Sequence, residues 1–222
     1  HTRCLRVSWA RRCVIRDRST LVSLILRLYD VTSGEVLLNH RNVKDYDLKV
    51  LRDSISIVLQ NNVLFSGTIR ENLLWGNPNA TEDEIREVCK IACVDEFLNR
   101  LPNGLNYDLG QGGVNVSGGQ KQRLCIARAL LKKPKVIIFD DSTSACDMET
   151  ERKIMSGIRG LKGVTNIIIG QRITSVMEAD KIIILDDGKI VNAGYHEELL
   201  QHSEIYQELY KEQLGGVLEC HQ

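Results

Sequence analysis

Val116-Ser117-Gly118-Gly119-Gln120, followed by the run Val136-Ile137-Ile138-Phe139-Asp140 whose last residue lies twenty after Gln120, decides how this chain folds. Gly118 and Gly119 leave the backbone bare just where Gln120 to Leu130 reads as a helix. A helix start with exposed N–H groups and no crowding Cβ attracts anions. The second stretch is a continuous apolar run that ends in an acid. It reads as a buried parallel strand delivering a carboxylate to its C-terminal edge, where open α/β sheets place their ligands. A phosphate-seeking helix start and a strand-end carboxylate together imply a polyphosphate ligand with a hard cation.

Outward from this pair the pattern is regular α/β. Leu21 to Leu28 fits a helix, and Glu35–Leu38 and Ser54–Leu59 read as strands. Thr81-x-x-Glu84 is a capping box opening a helix through about Cys93. Pro102-Asn103-Gly104 is a turn. A helix follows over about 149–160, then strands at Asn166–Ile169 and Lys181–Leu185. Asp186-Asp187-Gly188-Lys189 is a hairpin turn into Ile190-Val191, and the tail is helical over 197–200 and 204–213. The region 61–131 is rich in helix.

The order of these motifs resembles that of an ATP-binding cassette (ABC) ATPase over about residues 19–216. Ser117-Gly118-Gly119-Gln120 is similar to the signature motif, the Asp140 strand to Walker B, and Ser144-Ala145-Cys146-Asp147 to the D-loop. Leu64 to Asn72 resembles a stretch of the exporter branch, in which the ATPase is joined to a membrane domain. The resemblance implies an α/β P-loop core with an inserted helical subdomain (about 61–131), ATP and Mg²⁺ as cofactors, and an ABC transmembrane domain as partner. It implies a place at the cytoplasmic face of a membrane, through a transmembrane domain absent from this chain. Residue by residue, it implies Mg²⁺ contacts from Ser19, Gln60 and Asp140. Arg18, Ser19 and Thr20 would face phosphates. Ser117, Gly118, Gly119 and Gln120 would contact the γ-phosphate of a partner domain's site, and Asp147 would bridge the two sites. Gly110-Gln111-Gly112-Gly113 sits where the exporter X-loop meets the membrane domain, with Gln111 replacing a usual Glu.

Three departures matter. The general base after Walker B is Asp141 where the family has Glu; the carboxylate is drawn back by more than about 1 Å, and such a displacement costs about 10²-fold in rate. The switch histidine is Gln171, which hydrogen-bonds but does not become a cation. Asp141, Gln171 and Gln60 are the catalytic candidates. Together the first two resemble the degenerate half of a heterodimer, whose signature motif completes the competent site of a second nucleotide-binding domain. The third departure is the P-loop. Arg12 to Arg18 precede Ser19-Thr20 without one glycine, although a phosphate nest needs inward N–H groups and little side-chain bulk. Arg18 holds the position of the usual lysine. Residues 1–18, with six arginines and no lysine, read as an aberrant or truncated segment. Out-of-frame translation and a diverged N-terminus are both open, and no clear first core strand stands out there. Residues 217–222 form a tail.

Composition sets the remaining bounds. The 222 residues carry 29 Lys+Arg and 29 Asp+Glu, a net charge of zero, which gives no electrostatic case for nucleic acid. The longest apolar runs, such as Ile182 to Leu185, fall far short of the roughly 20 residues that span a bilayer. The start at His1 suggests a fragment. Cys89 and Cys93 lie four apart on one helix; small apolar residues on a buried face is the preferred reading over a metal clip. His196 reads as a helix-capping surface residue. The alternatives to an exporter ATPase are a non-catalytic fragment or structural dimerisation partner, and a soluble ABC ATPase of DNA repair. The latter is disfavoured because no coiled-coil or zinc insertion appears.

Overall fold

A computed structural model describes residues 4–9, 16–142, 145–170, 172–186 and 188–215, with backbone alone at 4–9, 16–19 and 215. In chain order the elements are β1 (Cys4–Trp9), α1 (Arg16–Ile25), β2 (Leu37–Leu38), β3 (Arg41–Asn42), α2 (Leu48–Ser54), β4 (Ile55–Val58), α3 (Ile69–Leu74), α4 (Glu82–Ile91) and α5 (Asp95–Leu98). They continue with α6 (Gly118–Leu131), β5 (Val136–Asp140), α7 (Met148–Arg159), β6 (Thr165–Gly170), α8 (Ile173–Val176), β7 (Lys181–Asp186), β8 (Lys189–Gly194), α9 (His196–His202) and α10 (Glu204–Tyr210). Asp53–Val164 forms one compact unit, and the described residues of Arg3–Arg52 and Thr165–Gln222 form another.

In the first unit β4 and β5 pair in parallel, Ile55 opposite Val136 and Val58 opposite Phe139. Val136 to Phe139 are all buried, which is why this strand is an uninterrupted apolar run rather than an alternating one. Against the pair lies α6, whose Leu124, Ile126, Ala127 and Leu131 are buried. Lys132, at the end of α6, donates to the Ile55 carbonyl at 3.1 Å, and burial lowers its pKa. The Thr81 capping box forms as expected: Thr81 Oγ1 accepts from the Glu84 N–H, and Glu84 Oε2 accepts from the Thr81 N–H at 2.9 Å. A second box opens α3, from Thr68 and Glu71.

Cys89, Cys93, Cys125 and Cys146 are buried and free. Burial pushes the Cys89 thiol up to about 12 and Cys146 to about 11. A thiol so far above neutral pH carries almost no thiolate, the reactive form. Alkylation of the native protein at pH 7.5, mapped by mass spectrometry, should leave Cys89 and Cys146 unmodified; rapid labelling of either would contradict this packing.

The second unit holds the strands β6-β1-β7-β8. β1 is parallel to both neighbours, with Leu5 opposite Ile167 and Lys181, and β7 pairs antiparallel with β8. This corrects the expectation for the N-terminus: a first core strand is present. Its signal is the alternation Leu5, Val7, Trp9 against Arg6 and Ser8, which the surrounding arginines obscure. Other expectations shift. The helix expected at 21–28 runs over Arg16–Ile25 and ends where Arg27 turns to φ 49°. Arg52 then donates to the Leu26 and Arg27 carbonyls, satisfying that helix end. The strand expected at 35–38 is Leu37–Leu38, and Asn39 and His40, at φ 50° and 62°, turn the chain into β3. Two positive φ values in a two-residue loop mark a type I′ hairpin. The β7–β8 hairpin is as expected, with Asp186 paired to Lys189 and Gly188 at φ 71°; Asp187 lies outside the described residues.

His196 is a further correction. It does not cap α9 and is half-buried: its Nδ1 lies 2.8 Å from the Tyr206 hydroxyl, and its ring packs edge-on to Tyr206 and against Tyr210. The helix turns its first residue inward because Tyr206 is fully buried in the cluster with Ile182, Ile184 and Leu199 and needs a polar partner for its hydroxyl. Burial lowers the His196 pKa against a smaller opposing effect of Glu197. A depressed folded-state pKa means stability that is full above the unfolded value of about 6.5 and lost as pH falls through the folded one. Thermal unfolding followed from pH 7.5 to 5 should show this loss, and His196→Gln should flatten it; an unchanged slope in the variant would refute the assignment.

Candidate functional site

Helix α6 begins with four hydrogen-bonding groups already committed to a capping box. Ser117 is the N-cap, in extended backbone at φ −67° and ψ 163°. Its Oγ accepts from the Gln120 N–H at 3.3 Å, and Gln120 Oε1 accepts from the Ser117 N–H at 2.9 Å. This capping box uses the amides of Ser117 and Gln120. The amides of Gly118 and Gly119 remain, and among the described contacts no acceptor meets either. The Ser117 hydroxyl accepts one bond and still has its proton to donate. The helix therefore offers two backbone donors and one hydroxyl at its positive end, on an exposed edge.

The two glycines differ. A Cβ on Gly118 would meet nothing within 4 Å, so the fold of this chain does not itself require glycine there. A Cβ on Gly119 would stand 3.0 Å from the Ala145 carbonyl oxygen. Open space before Gly118, bare amides and a hydroxyl suit a phosphate.

At the C-terminal end of β5 stand Asp140 and Asp141, both half-buried. Asp141 has φ 47°, a left-handed conformation that Asp tolerates better than most residues. Ser142 is buried, and among the described residues its hydroxyl has no partner. Two successive carboxylates at a strand end are hard oxygen donors suited to Mg²⁺. Asp147 is the N-cap of α7: Oδ1 accepts from the Thr150 N–H at 2.9 Å and Oδ2 from the Thr150 hydroxyl at 2.7 Å. These bonds, the backbone one first, hold its carboxyl below the usual carboxylate range. Gln60 is exposed, two residues beyond the end of β4.

The remaining candidates belong to the second unit. Arg18 and Ser19 have helical backbone in α1, with side chains outside the described residues, and Thr20 is exposed on the same helix. Gln171 and the glycine-free stretch before Asp17 fall mostly outside them too: residues 10–15, 171 and Ser144 are not described.

Sequence reasoning missed the residues that tie these loops together. Gln122, fully buried on α6, accepts at Oε1 from the Ala145 N–H at 3.2 Å and from the Cys146 thiol at 3.2 Å. Arg128 donates to the Val63 carbonyl at 2.9 Å, just past Gln60, and lies over the Phe65 ring. Asn72, 1% exposed, donates to the Phe65 carbonyl at 2.9 Å and accepts from the Phe65 N–H at 2.8 Å. Polar residues on the buried face of an otherwise apolar helix were the available signal. The same region exposes apolar surface. Phe65 and Trp75 stack at 4.7 Å, and Leu59, Val63, Trp75 and Val114 are exposed. Val114 follows Gly113, where a Cβ would meet Leu64 at 3.1 Å.

Residues 18–144 match the family model described as ABC transporter. The chain belongs to the ABC transporter family. Over 198 residues it is 47% identical to an uncharacterized ABC transporter ATP-binding protein of Bacillus subtilis (strain 168), covering 89% of this chain and 34% of that one. Over 194 residues it is 44% identical to a Staphylococcus aureus (strain N315) protein assigned by name to multidrug export as an ATP-binding/permease protein, covering 87% of this chain and 34% of that one. Its structure is similar to that of a bacterial Atm1-family ABC exporter with ATP bound, with a TM-score of 0.90 and 32% identity, over 95% of this chain and 37% of the other. The fold is thus the α/β ABC ATPase fold of the exporter type. The chain spans about a third of the length of the curated relatives it matches. Among the described residues no helix is long and apolar enough to cross a membrane.

Proposed function

We propose that this ABC ATP-binding domain powers export as the degenerate half of a heterodimer, its signature motif serving the ATP site of a second nucleotide-binding domain. The observation that carries the reading is the contrast between an open, well-capped Ser117–Gln120 cradle and two altered catalytic positions, Asp141 and Gln171. The ATPase domain is 19–216, with 61–131 its helical subdomain, 1–18 an aberrant or truncated segment lacking an intact P-loop, and 217–222 a tail.

In this reading Ser117, Gly118 and Gly119 donate to the partner-bound γ-phosphate, where donors aimed at developing charge do most for phosphoryl transfer. Mg²⁺, held by Asp140 and Ser19 with Gln60 near, would neutralise phosphate charge at the chain's own site. Asp141 orients water poorly there, because its carboxylate is short. Arg18 keeps the charge of the usual lysine with a different shape. The exposed, stacked rings of Phe65 and Trp75 support a membrane-domain partner, since exposed apolar patches mark interaction sites. Such a partner would hold the chain at the cytoplasmic membrane face.

Titration of the chain with Mg-ATP tests the degenerate site. No saturation below the millimolar range is expected, and micromolar affinity would overturn it. The second reading, a non-catalytic fragment or structural dimerisation partner, is favoured by the glycine-free Arg12–Arg18 stretch. Translating the upstream DNA in all frames separates the two. A G-x-x-G-x-G-K preceded by membrane segments in another frame supports the exporter, and its absence supports the relic.

A further inference from the structure

We infer that the two signature glycines have separate tasks, and that Gly119 with Gln122 clamps the D-loop so that signature motif and D-loop meet the partner site as one rigid body. The inference rests on the reading that this signature motif serves a partner site. The Ala145 peptide is held from both sides. Its N–H donates to Gln122 Oε1 at 3.2 Å, and its carbonyl oxygen comes so close to Gly119 that a Cβ would lie at 3.0 Å. The Cys146 thiol adds a second donor to the same Gln122 oxygen at 3.2 Å. Gln122 is 0% exposed, so both donors lose their acceptor, with no water to replace it, when that oxygen is removed. Among the described residues its Nε2 has no partner, and the Oε1 bonds are the ones that hold this buried amide.

The clamp is anchored at its far end as well. Asp147, two residues past Ala145, starts α7 by capping Thr150. The described D-loop residues Ala145–Asp147 are thus fixed between α6 and α7. Gly118 takes no part: the space before it is open. Both amides face the phosphate; what differs is the missing side chain, which leaves room for the phosphate at Gly118 and for the D-loop at Gly119. Gln122 is a positioning residue, acting on the partner site through Ala145–Asp147.

Amide hydrogen exchange on the whole chain tests the clamp without any partner. Gln122→Met, close in volume but lacking the acceptor, should speed exchange at Ala145 and Cys146 by about 10-fold or more, the factor set by losing one buried hydrogen bond. Gly119→Ala should do the same, because the Ala145 carbonyl must give way. Gln122→Glu keeps an acceptor oxygen and should restore slow exchange, and Gly118→Ala should not change it. Unaltered exchange in both Gln122→Met and Gly119→Ala would overturn the clamp. In a dimer whose partner domain carries an intact P-loop and Glu base, Gln122→Met should lower kcat about 10-fold with little change in KM. Unchanged kcat would leave Gln122 a purely structural residue and refute its positioning role. If the unaltered chain supports no hydrolysis by the partner, the proposed function fails, and exchange alone still decides the clamp.

Discussion

Gly118→Asp should abolish ATP hydrolysis at the partner's site, by about 10²-fold or more, while the chain stays folded and melts no lower. The two halves of this expectation rest on opposite signs of one electrostatic effect. Gly118 is the first residue of α6, and a Cβ there meets nothing within 4 Å, so the new side chain has room. A carboxylate in the first turn faces the positive end of the helix and stabilises it by about 0.3–1 kcal/mol. Stability is therefore unchanged or slightly raised. The same carboxylate sits where a γ-phosphate would accept from the Gly118 and Gly119 amides. It repels the incoming charge and occupies donors of a kind whose single loss costs about 10²–10³ in kcat. The measurement is ATPase activity of a reconstituted dimer whose second domain has an intact P-loop and catalytic Glu, beside a thermal melt of the variant chain. A hydrolysis rate within twofold of the unaltered dimer would sink the trans role of this motif. A large fall in melting temperature would show that Gly118 serves the fold, contrary to the open space in front of it.

This contrast shows where the sequence was readable. Signals that act within a few residues were legible. The Thr81 capping box, the apolar run of β5 and the Asp186–Lys189 hairpin depend on local hydrogen bonding or on burial of a whole strand. The helix start at Gly118 and the strand-end Asp140 were legible for the same reason, since both are local devices. What stayed hidden depends on a contact between distant segments. His196 is drawn inward by Tyr206 ten residues on, and Gln122 by Ala145 and Cys146, more than twenty residues away. A single sequence carries no mark of such a partner beyond a polar residue in an apolar setting. β1 failed differently. Its period-two pattern is local, but arginine-rich flanks weighed against it. The helix α1 was placed late for a related reason: its first residues, Arg16–Ser19, show neither cap nor apolar stripe.

The second large effect is on stability and sits one residue from the proposed metal ligand. Phe139→Ala should cost about 3–5 kcal/mol, the usual loss for emptying a buried aromatic site. Phe139 is 1% exposed on β5, paired in register with Val58 of β4, and precedes Asp140 directly. Its neighbours Ile137 and Ile138 are fully buried and held in the same strand, so the backbone has little freedom to collapse into the space left by the ring. Against a total stability of about 5–15 kcal/mol for a domain, this is enough to unfold a marginal chain or to lower the urea midpoint by about 1–5 M at ordinary slopes. Equilibrium urea unfolding measures it, with Val114→Ala as the control: Val114 is 71% exposed, and its truncation should stay within about 0.5 kcal/mol. A loss below about 1 kcal/mol for Phe139→Ala would mean that β5 is not the buried strand that carries Asp140 to its edge. The outcome bears on function because that strand carries Asp140 to its edge, with Asp141 the next residue. Softening it should weaken any Mg²⁺-dependent nucleotide binding together with the fold, whereas Gly118→Asp separates the two.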